Sequence, residues 1–255
     1  MRPNHVKHNL QGGKVSVGTW LSIPSPFSAE RCGRLGFEWL VIDMEHNPIS
    51  IDMAAMMIMA INQTPTAPMV RIPWNHPEHI KRVLDAGAWG IVVPMVCSKE
   101  EAEQAVEAAK YHPQGFRSNG GGRYELSFDA DRAAYTSRAN DEIFVAVQIE
   151  HIDAVERAEE ILSVPGVDAC FIGPNDLMTS MGMLGKMDVE APQVREAFEH
   201  VVQVSNKVGV APGIHARSGA DVTRRIKEGF RFIAMASEMG LMIAGLNREK
   251  ALIEP

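Results

Sequence analysis

Ile143-Phe-Val-Ala-Val-Gln-Ile-Glu150 decides how this chain is read. The run is apolar, rich in β-branched residues and too short for a free-standing helix, so it reads as a buried strand. It ends in Gln148 and Glu150, which alternation along a strand places on one face. An amide and an acid at the exit of a buried strand fit either a cation held by Glu150 or a plain surface-facing strand end. The next apolar run, Ala169-Cys-Phe-Ile-Gly173, ends the same way, in Pro174-Asn-Asp176. Two successive strands delivering carboxylates at their carboxyl ends favour the cation.

Outward from this pair, apolar runs and helical patterns alternate along the whole chain. Val15–Leu21, Trp39–Ile42, Ala67–Arg71, Gly90–Val93, Val210–Ile214 and Phe230–Met235 supply the other predicted strands. Amphipathic or capped helical segments follow most of them, including one opened by Ser50 whose Met53, Met56, Met57 and Met59 read as core filler. An irregular insert begins at Pro113 and runs through Gly120-Gly-Gly-Arg123 into a polar stretch ending at Asp141. About eight strand–helix units in 255 residues, with no Ser/Gly/Pro-rich linker, predict one (β/α)8 barrel, a TIM barrel. A doubly wound open sheet would need fewer units or a second domain. The expected organisation is a polar N-terminal tail over residues 1–14 and a single barrel over 15–255.

Composition narrows the function. The chain is 45% apolar and 22% charged, an ordinary balance for a soluble globular protein. A net charge of −7 argues against nucleic acid or an anionic membrane as a general partner. Charged residues or Asn interrupt every apolar run before it could span a bilayer, and Met1–Lys14 lacks the apolar stretch of a signal peptide. Cys32, Cys97 and Cys170 lie far apart in apolar contexts and read as core thiols of a reduced, cytoplasmic protein.

Barrel enzymes keep their chemistry at the carboxyl ends of the strands. Here those ends carry Asp43, Glu45 and His46, then Arg71, then Gln148 and Glu150, then Asn175 and Asp176, whereas the opposite ends offer mostly Gly, Ala and Pro. Two carboxylates, water and a substrate oxygen suit a hard divalent cation such as Mg²⁺ or Mn²⁺. Such a cation can chelate a 2-oxo acid and act as a Lewis acid on a developing enolate, with Arg71 as a further donor to the same oxygen. His46, three residues after Asp43, has the makings of a base supported by a carboxylate. Each residue alone has a plainer reading: His46 as a helix cap, Arg71 as the partner of Asp85 or Glu45, Asp176 as an N-cap. Four strand ends at once do not. Gly120-Gly-Gly122 lacks the Lys-Ser/Thr of a phosphate loop and reads as a flexible loop, with Arg117 or Arg123 as a contact for a substrate carboxylate. No Gly-x-Ser-x-Gly occurs, and no predicted strand ends in a lysine that could form a Schiff base.

These stretches resemble a known family, the metal-dependent (class II) pyruvate aldolases of the HpcH/HpaI aldolase/citrate lyase group. That group includes 4-hydroxy-2-oxoheptanedioate aldolase and the 2-keto-3-deoxy sugar-acid aldolases. The resemblance runs from about Gly18 to Gly240. It is carried by Ile42-Asp-Met-Glu-His46, Val70-Arg71, Val147-Gln-Ile-Glu150 and Gly173-Pro-Asn-Asp-Leu177, among others. It implies a phosphoenolpyruvate/pyruvate-binding type of barrel that forms a homohexamer, a trimer of dimers, with the last helix swapped between subunits. It further implies Glu150 and Asp176 as ligands of Mg²⁺, Mn²⁺ or Co²⁺, and Arg71 on the enolate oxygen. Gln148, Asn175 and Arg123 would meet the substrate. His46, paired with Asp43, would be the acid/base, and Asp85 a supporting carboxylate near a subunit contact. Small 2-oxo acids and aldehydes are the implied partners. A citryl- or malyl-CoA-type lyase and a non-catalytic 2-oxo-acid-binding barrel are the alternatives. The loop after Arg117 and the Gly213-Ile-His215 segment face the acceptor end, so they bear on the aldehyde rather than on the reaction.

Overall fold

The computed structural model describes residues 1–253. Eight parallel strands run β1 Ser16–Leu21, β2 Trp39–Asp43, β3 Ala67–Arg71, β4 Gly90–Val93, β5 Phe144–Gln148, β6 Ala169–Phe171, β7 Gly213–Ala216 and β8 Phe232–Ser237. Their order is β6-β5-β4-β3-β2-β1-β8-β7, and bridges from Ala169 to Ala211 and from Ile172 to Ile214 join β6 to the β7 side. The result is a nearly closed barrel of the predicted (β/α)8 type.

The helices in chain order are α1 His5–Gln11, α2 Pro26–Gly33, α3 Ile51–Ile61, α4 Pro77–Asp85, α5 Lys99–Ala109, α6 Tyr124–Ser127 and α7 Arg132–Glu142. They continue with α8 Ile152–Glu156, α9 Ala158–Leu162, α10 Pro174–Ser180, α11 Pro192–Val208, α12 Gly219–Lys227 and α13 Glu238–Lys250. Side-chain caps start many of them. Ser50 accepts from the Met53 N–H, Ser218 from Asp221, and Ser98 and Glu101 form a reciprocal capping box on α5.

The barrel interior is filled by aromatic side chains rather than by a channel. Trp39 stacks on Phe232 at 4.3 Å, and Phe144 and Phe171 pack around the same ring. Gly18 leaves the room that the Trp39 indole needs, since a Cβ there would overlap the ring. Fully burying side chains of this size contributes on the order of 1.5–3 kcal/mol each, so the interior holds the strand ends in fixed positions.

Four expectations are corrected. The polar N-terminal segment is not a loose tail: Val6 and Leu10 of α1 are buried, and Asn4 Nδ2 donates to the Trp89 and Glu142 carbonyls. Lys7 Nζ donates to the Ile143 carbonyl, and Trp89 and Ile143 immediately precede β4 and β5, so α1 covers the amino-terminal end of the barrel, a placement that polarity alone does not reveal. The stretch read as polar and irregular folds into α6 and α7, the latter capped by Asp131. Of the four methionines on α3, Met57 is buried, whereas Met56 and Met59 are exposed. Finally, β7 starts at Gly213 rather than Val210 and carries His215 within the strand.

Candidate active site

The carboxyl ends of β2, β3, β5 and β6 converge on a cavity of about 220 Å³, lined among others by Asp43, His46, Arg71, Gln148 and Asp176. Parallel pairing sets the first contact, because Asp43 and Arg71 are register partners on adjacent strands. Arg71 Nε and Nη2 donate to the two Asp43 carboxylate oxygens at 2.9 and 2.8 Å, a bidentate pair with both side chains largely buried. Asp43 also accepts the Glu45 and His46 backbone N–H groups and the Asn47 amide. Its oxygens are therefore saturated. Burial works against the Arg71 charge, but the Asp43 hydrogen bonds and the neighbouring carboxylates more than offset it, and its pKa is raised.

This corrects the expected pairing of His46 with Asp43. The Asp43 side chain positions Arg71 and meets only the backbone of His46. The His46 ring stands at the mouth, more than half exposed, with Nε2 3.5 Å from Glu45 Oε2. The same Glu45 oxygen lies 3.1 Å from Arg71 Nη1. Glu45 thus bridges the His46 ring and the arginine. The plainer reading in which Arg71 pairs with Glu45 is also true, but that pairing aims the guanidinium into the cavity rather than removing it.

Gln148 and Glu150 share a face, as alternation requires, and the Gln148 amide donates to Glu150 Oε2. Glu150 Oε1 accepts the Met95 N–H at 2.7 Å. Met95 adopts a left-handed φ of 52° to present that group, the kind of local strain found at functional sites. Burial, with Glu45 and Asp176 nearby, pushes the Glu150 carboxyl up to about 7, although the Met95 N–H opposes the shift. Arg71 is a nearby counter-charge but does not offset burial and the two carboxylates, and a bound cation would. Gln148 Oε1 is also buried without a donor. The donor set, Glu150 and Asp176 beside that orphan oxygen, fits a hard divalent ion. Among the described residues no three His, Cys, Asp or Glu side chains form a closed cage. Such an ion would take its remaining ligands from water and substrate, as Mg²⁺ commonly does.

Asn175 and Asp176 lie in the first turn of α10 beside the same cavity. Arg123 and Asp85 do not join it. Asp85 ends α4 and pairs with Arg117 at 2.8 Å, while its carbonyl accepts the Arg123 N–H. The Arg123 guanidinium reaches Ser127 and lines a separate cavity with Arg2 and Asn62. Within one chain, the Arg123 side chain therefore lies outside the main cavity. Arg117, the other arginine considered for that role, is buried among Tyr111, Tyr124 and Tyr135.

From sequence, Trp20 has no assigned role and His215 only a bearing on the acceptor end. Trp20, at the end of β1, lies under the Arg71 guanidinium at 4.3 Å, and its Nε1–H donates to His215 Nδ1 at 3.0 Å. Both sit near the end of a predicted strand.

The profile of the HpcH/HpaI aldolase/citrate lyase family matches residues 16–245. The chain belongs to that family. A 5-keto-4-deoxy-D-glucarate aldolase from Escherichia coli is 37% identical over 239 residues, covering 94% of this chain and 92% of that protein. An HpcH/HpaI aldolase/citrate lyase family protein from Burkholderia cenocepacia superposes with a TM-score of 0.91 at 33% identity, covering 97% and 98% of the two chains. An HpcH/HpaI aldolase from Desulfitobacterium hafniense gives 0.88 at 30% identity over 98% and 97%.

Proposed function

We propose that this protein is a divalent-metal-dependent pyruvate aldolase, which cleaves a 4-hydroxy-2-oxo acid reversibly to pyruvate and an aldehyde. The observation that carries the reading is Arg71, a largely buried cation locked by Asp43 and Glu45 at the cavity that Gln148 and Asp176 also line. When bound between Glu150 and Asp176, Mg²⁺, Mn²⁺ or Co²⁺ would supply Lewis-acid pull on the 2-oxo group.

The chain's own residues do the rest. His46 takes the proton of the 4-hydroxyl, and Glu45, 3.5 Å away, stabilises the imidazolium that results. The C4–O bond becomes a carbonyl, the C3–C4 bond breaks, and its electron pair enters the pyruvate enolate. Arg71 donates to the C2 oxygen on which that charge settles, with no reorganisation needed because Asp43 already fixes its plane. The Gln148 amide holds Glu150 in place.

We assign the protein to the reducing cytoplasm, in keeping with three unpaired cysteines, and no helix of the described residues is long and apolar enough to cross a membrane. We also assign it an oligomeric state, a hexamer arranged as a trimer of dimers. No residue of α13 is buried, and Leu241, Met242, Ile243 and Leu246 are all exposed on it, which a neighbouring subunit would cover. In that assembly Asp85 and Arg123 would serve a neighbour's site rather than their own.

The test is pyruvate release, coupled to lactate dehydrogenase, from a panel of 4-hydroxy-2-oxo acids. Chelator should abolish it, and added Mg²⁺, Mn²⁺ or Co²⁺ should restore it. Arg71→Ala should lower the rate roughly 10²–10³-fold, the usual cost of losing one oxyanion donor. Silence across the panel from a folded protein, with acyl-CoA cleavage instead, would overturn the reading.

A further inference from the structure

β8 carries a bulge where it pairs with β1. Gly18 is the register partner of Ala234, but Trp20 is that of Ser237, so β8 fits one extra residue into the ladder. Ala236 takes up the excess with a left-handed φ of 48°, and the buried Thr19 hydroxyl fastens the bend by donating to the Met235 carbonyl at 2.7 Å. The chain then turns into α13 with Glu238 against the β1–α2 loop, 216 residues away in sequence.

There the Glu238 carboxylate sits in a nest of backbone amides. The Ser22 N–H is shared between Oε1 at 2.7 Å and Oε2 at 2.9 Å. Oε1 also accepts the Ile23 N–H at 2.8 Å, and Oε2 the Met239 N–H at 3.0 Å. Among the described residues no Lys, Arg or His pairs with Glu238, so these amide dipoles face its charge. Capping α13 does not explain the arrangement, because Ser237 already caps that helix by accepting the Gly240 N–H. Packing does not explain it either, since α13 buries no residue. What the carboxylate fixes is the chain directly after Trp20. Trp20 and Ser22 both line the main cavity, and the Arg71 guanidinium rests on the Trp20 ring.

We infer that Glu238 is a positioning residue for the side of the cavity that stabilises the enolate: it holds the Ser22 and Ile23 amides, and through them keeps Trp20 under Arg71. Glu238 does not itself line the cavity and acts through the main chain. Neither β1 nor β8 pairs with β5 or β6, the strands that lead to Glu150 and Asp176. Metal binding should therefore not depend on Glu238. The inference rests on the aldolase reading and adds to it a residue remote from the reacting atoms.

The test is exchange of the pyruvate methyl protons for deuterium with Mn²⁺, which needs the enolate but no aldehyde. Glu238→Ala should lower kcat/KM for exchange about 10–10²-fold, while Mn²⁺ affinity by titration calorimetry stays at the wild-type value. Acetate supplies the atoms that this substitution removes, so it should restore part of the rate. The wild type at the same acetate concentrations corrects for competition with pyruvate. In protein labelled with 5-fluorotryptophan, the Trp20 fluorine resonance, assigned by its loss in Trp20→Phe, should move in Glu238→Ala and return with acetate. A merely structural role would not move it. Glu238→Gln, the milder variant, keeps Oε1 for the loop but sets an NH₂ group against the Ser22 and Met239 N–H groups. It should lower the rate several-fold, shift the same resonance and ignore acetate, because its nest is filled. Wild-type rate and resonance in Glu238→Gln overturn the inference, even where Glu238→Ala does not fold. So does acetate acting equally on both variants, or a parallel loss of Mn²⁺ affinity. The aldolase reading is judged on the wild type: if it exchanges no pyruvate protons with Mn²⁺, that reading fails and takes this inference with it.

Discussion

Gly173→Ala should disable the proposed metal site without touching a proposed ligand. Gly173 caps α10 with φ −92° and ψ 95°, a conformation that alanine adopts without strain. The difficulty is space. A Cβ there would sit 2.5 Å from Glu150 Oε2 and 3.3 Å from Glu150 Cβ. Ordinary contact begins near 3.4 Å, so the carboxylate must retreat by about 0.9 Å. It is poorly placed to do so, because Oε1 holds the Met95 N–H at 2.7 Å and Oε2 holds the Gln148 amide. Hydrogen bonds to a charged acceptor are worth about 1.5–3 kcal/mol each. Metal ligands tolerate errors of only about 0.2 Å, and misplacing a positioning group by about 1 Å costs on the order of 10²-fold in rate. Mn²⁺ affinity by titration calorimetry should fall roughly 10–100-fold, with kcat/KM falling about 10²-fold. The melting temperature of the metal-free protein should fall modestly, because the disturbed Glu150 hydrogen bonds outweigh the about 0.4–1 kcal/mol that the Gly→Ala change itself contributes to folding. Wild-type Mn²⁺ affinity in the variant would refute the argument, whatever happened to stability.

Two further outcomes follow from other parts of the molecule. Lys110 Nζ is buried, donates to the Asn140 and Ile143 carbonyls, and is held down to about 7 by burial and by the charge of nearby Lys7. Between that value and the ordinary lysine range the folded chain binds fewer protons at this site than the unfolded chain, so this contribution to stability rises with pH. The wild-type melting temperature should climb from pH 7 to 9 relative to Lys110→Met, and parallel profiles would sink the assignment. The exposed apolar face of α13 predicts that light scattering will give a multiple of the chain mass, and that Leu241→Glu with Leu246→Glu will give a smaller species; a monomeric wild type would remove the oligomer.

Most strands were legible because local pattern alone sets them. Ala67–Arg71 and Gly90–Val93 are bounded as the apolar runs predict, and Gln148 and Glu150 share a face because a strand has a period of two. The count of strand–helix units settled the barrel, and with it the face on which Asp43, Arg71, Gln148 and Asp176 meet. Spacing was misleading where a closer partner came from another strand. Three residues of separation suggested Asp43 for His46, but the β2–β3 register set Asp43 against Arg71, a bidentate partner that outcompetes a ring at the mouth. Likewise Arg123 reads as a pocket residue from its glycine-rich loop, but the path of the chain carries it to another cavity.

The sequence by itself thus determined the architecture and the kinds of group at each strand end, since both follow from periodicity and residue chemistry within a few positions. Only the tertiary structure decided which of those groups pair, that Trp20 meets His215, and that α1 covers the amino-terminal end of the barrel. Those outcomes depend on contacts between segments as far apart as Trp20 and His215, or Asn4 and Glu142, and no local pattern carries them.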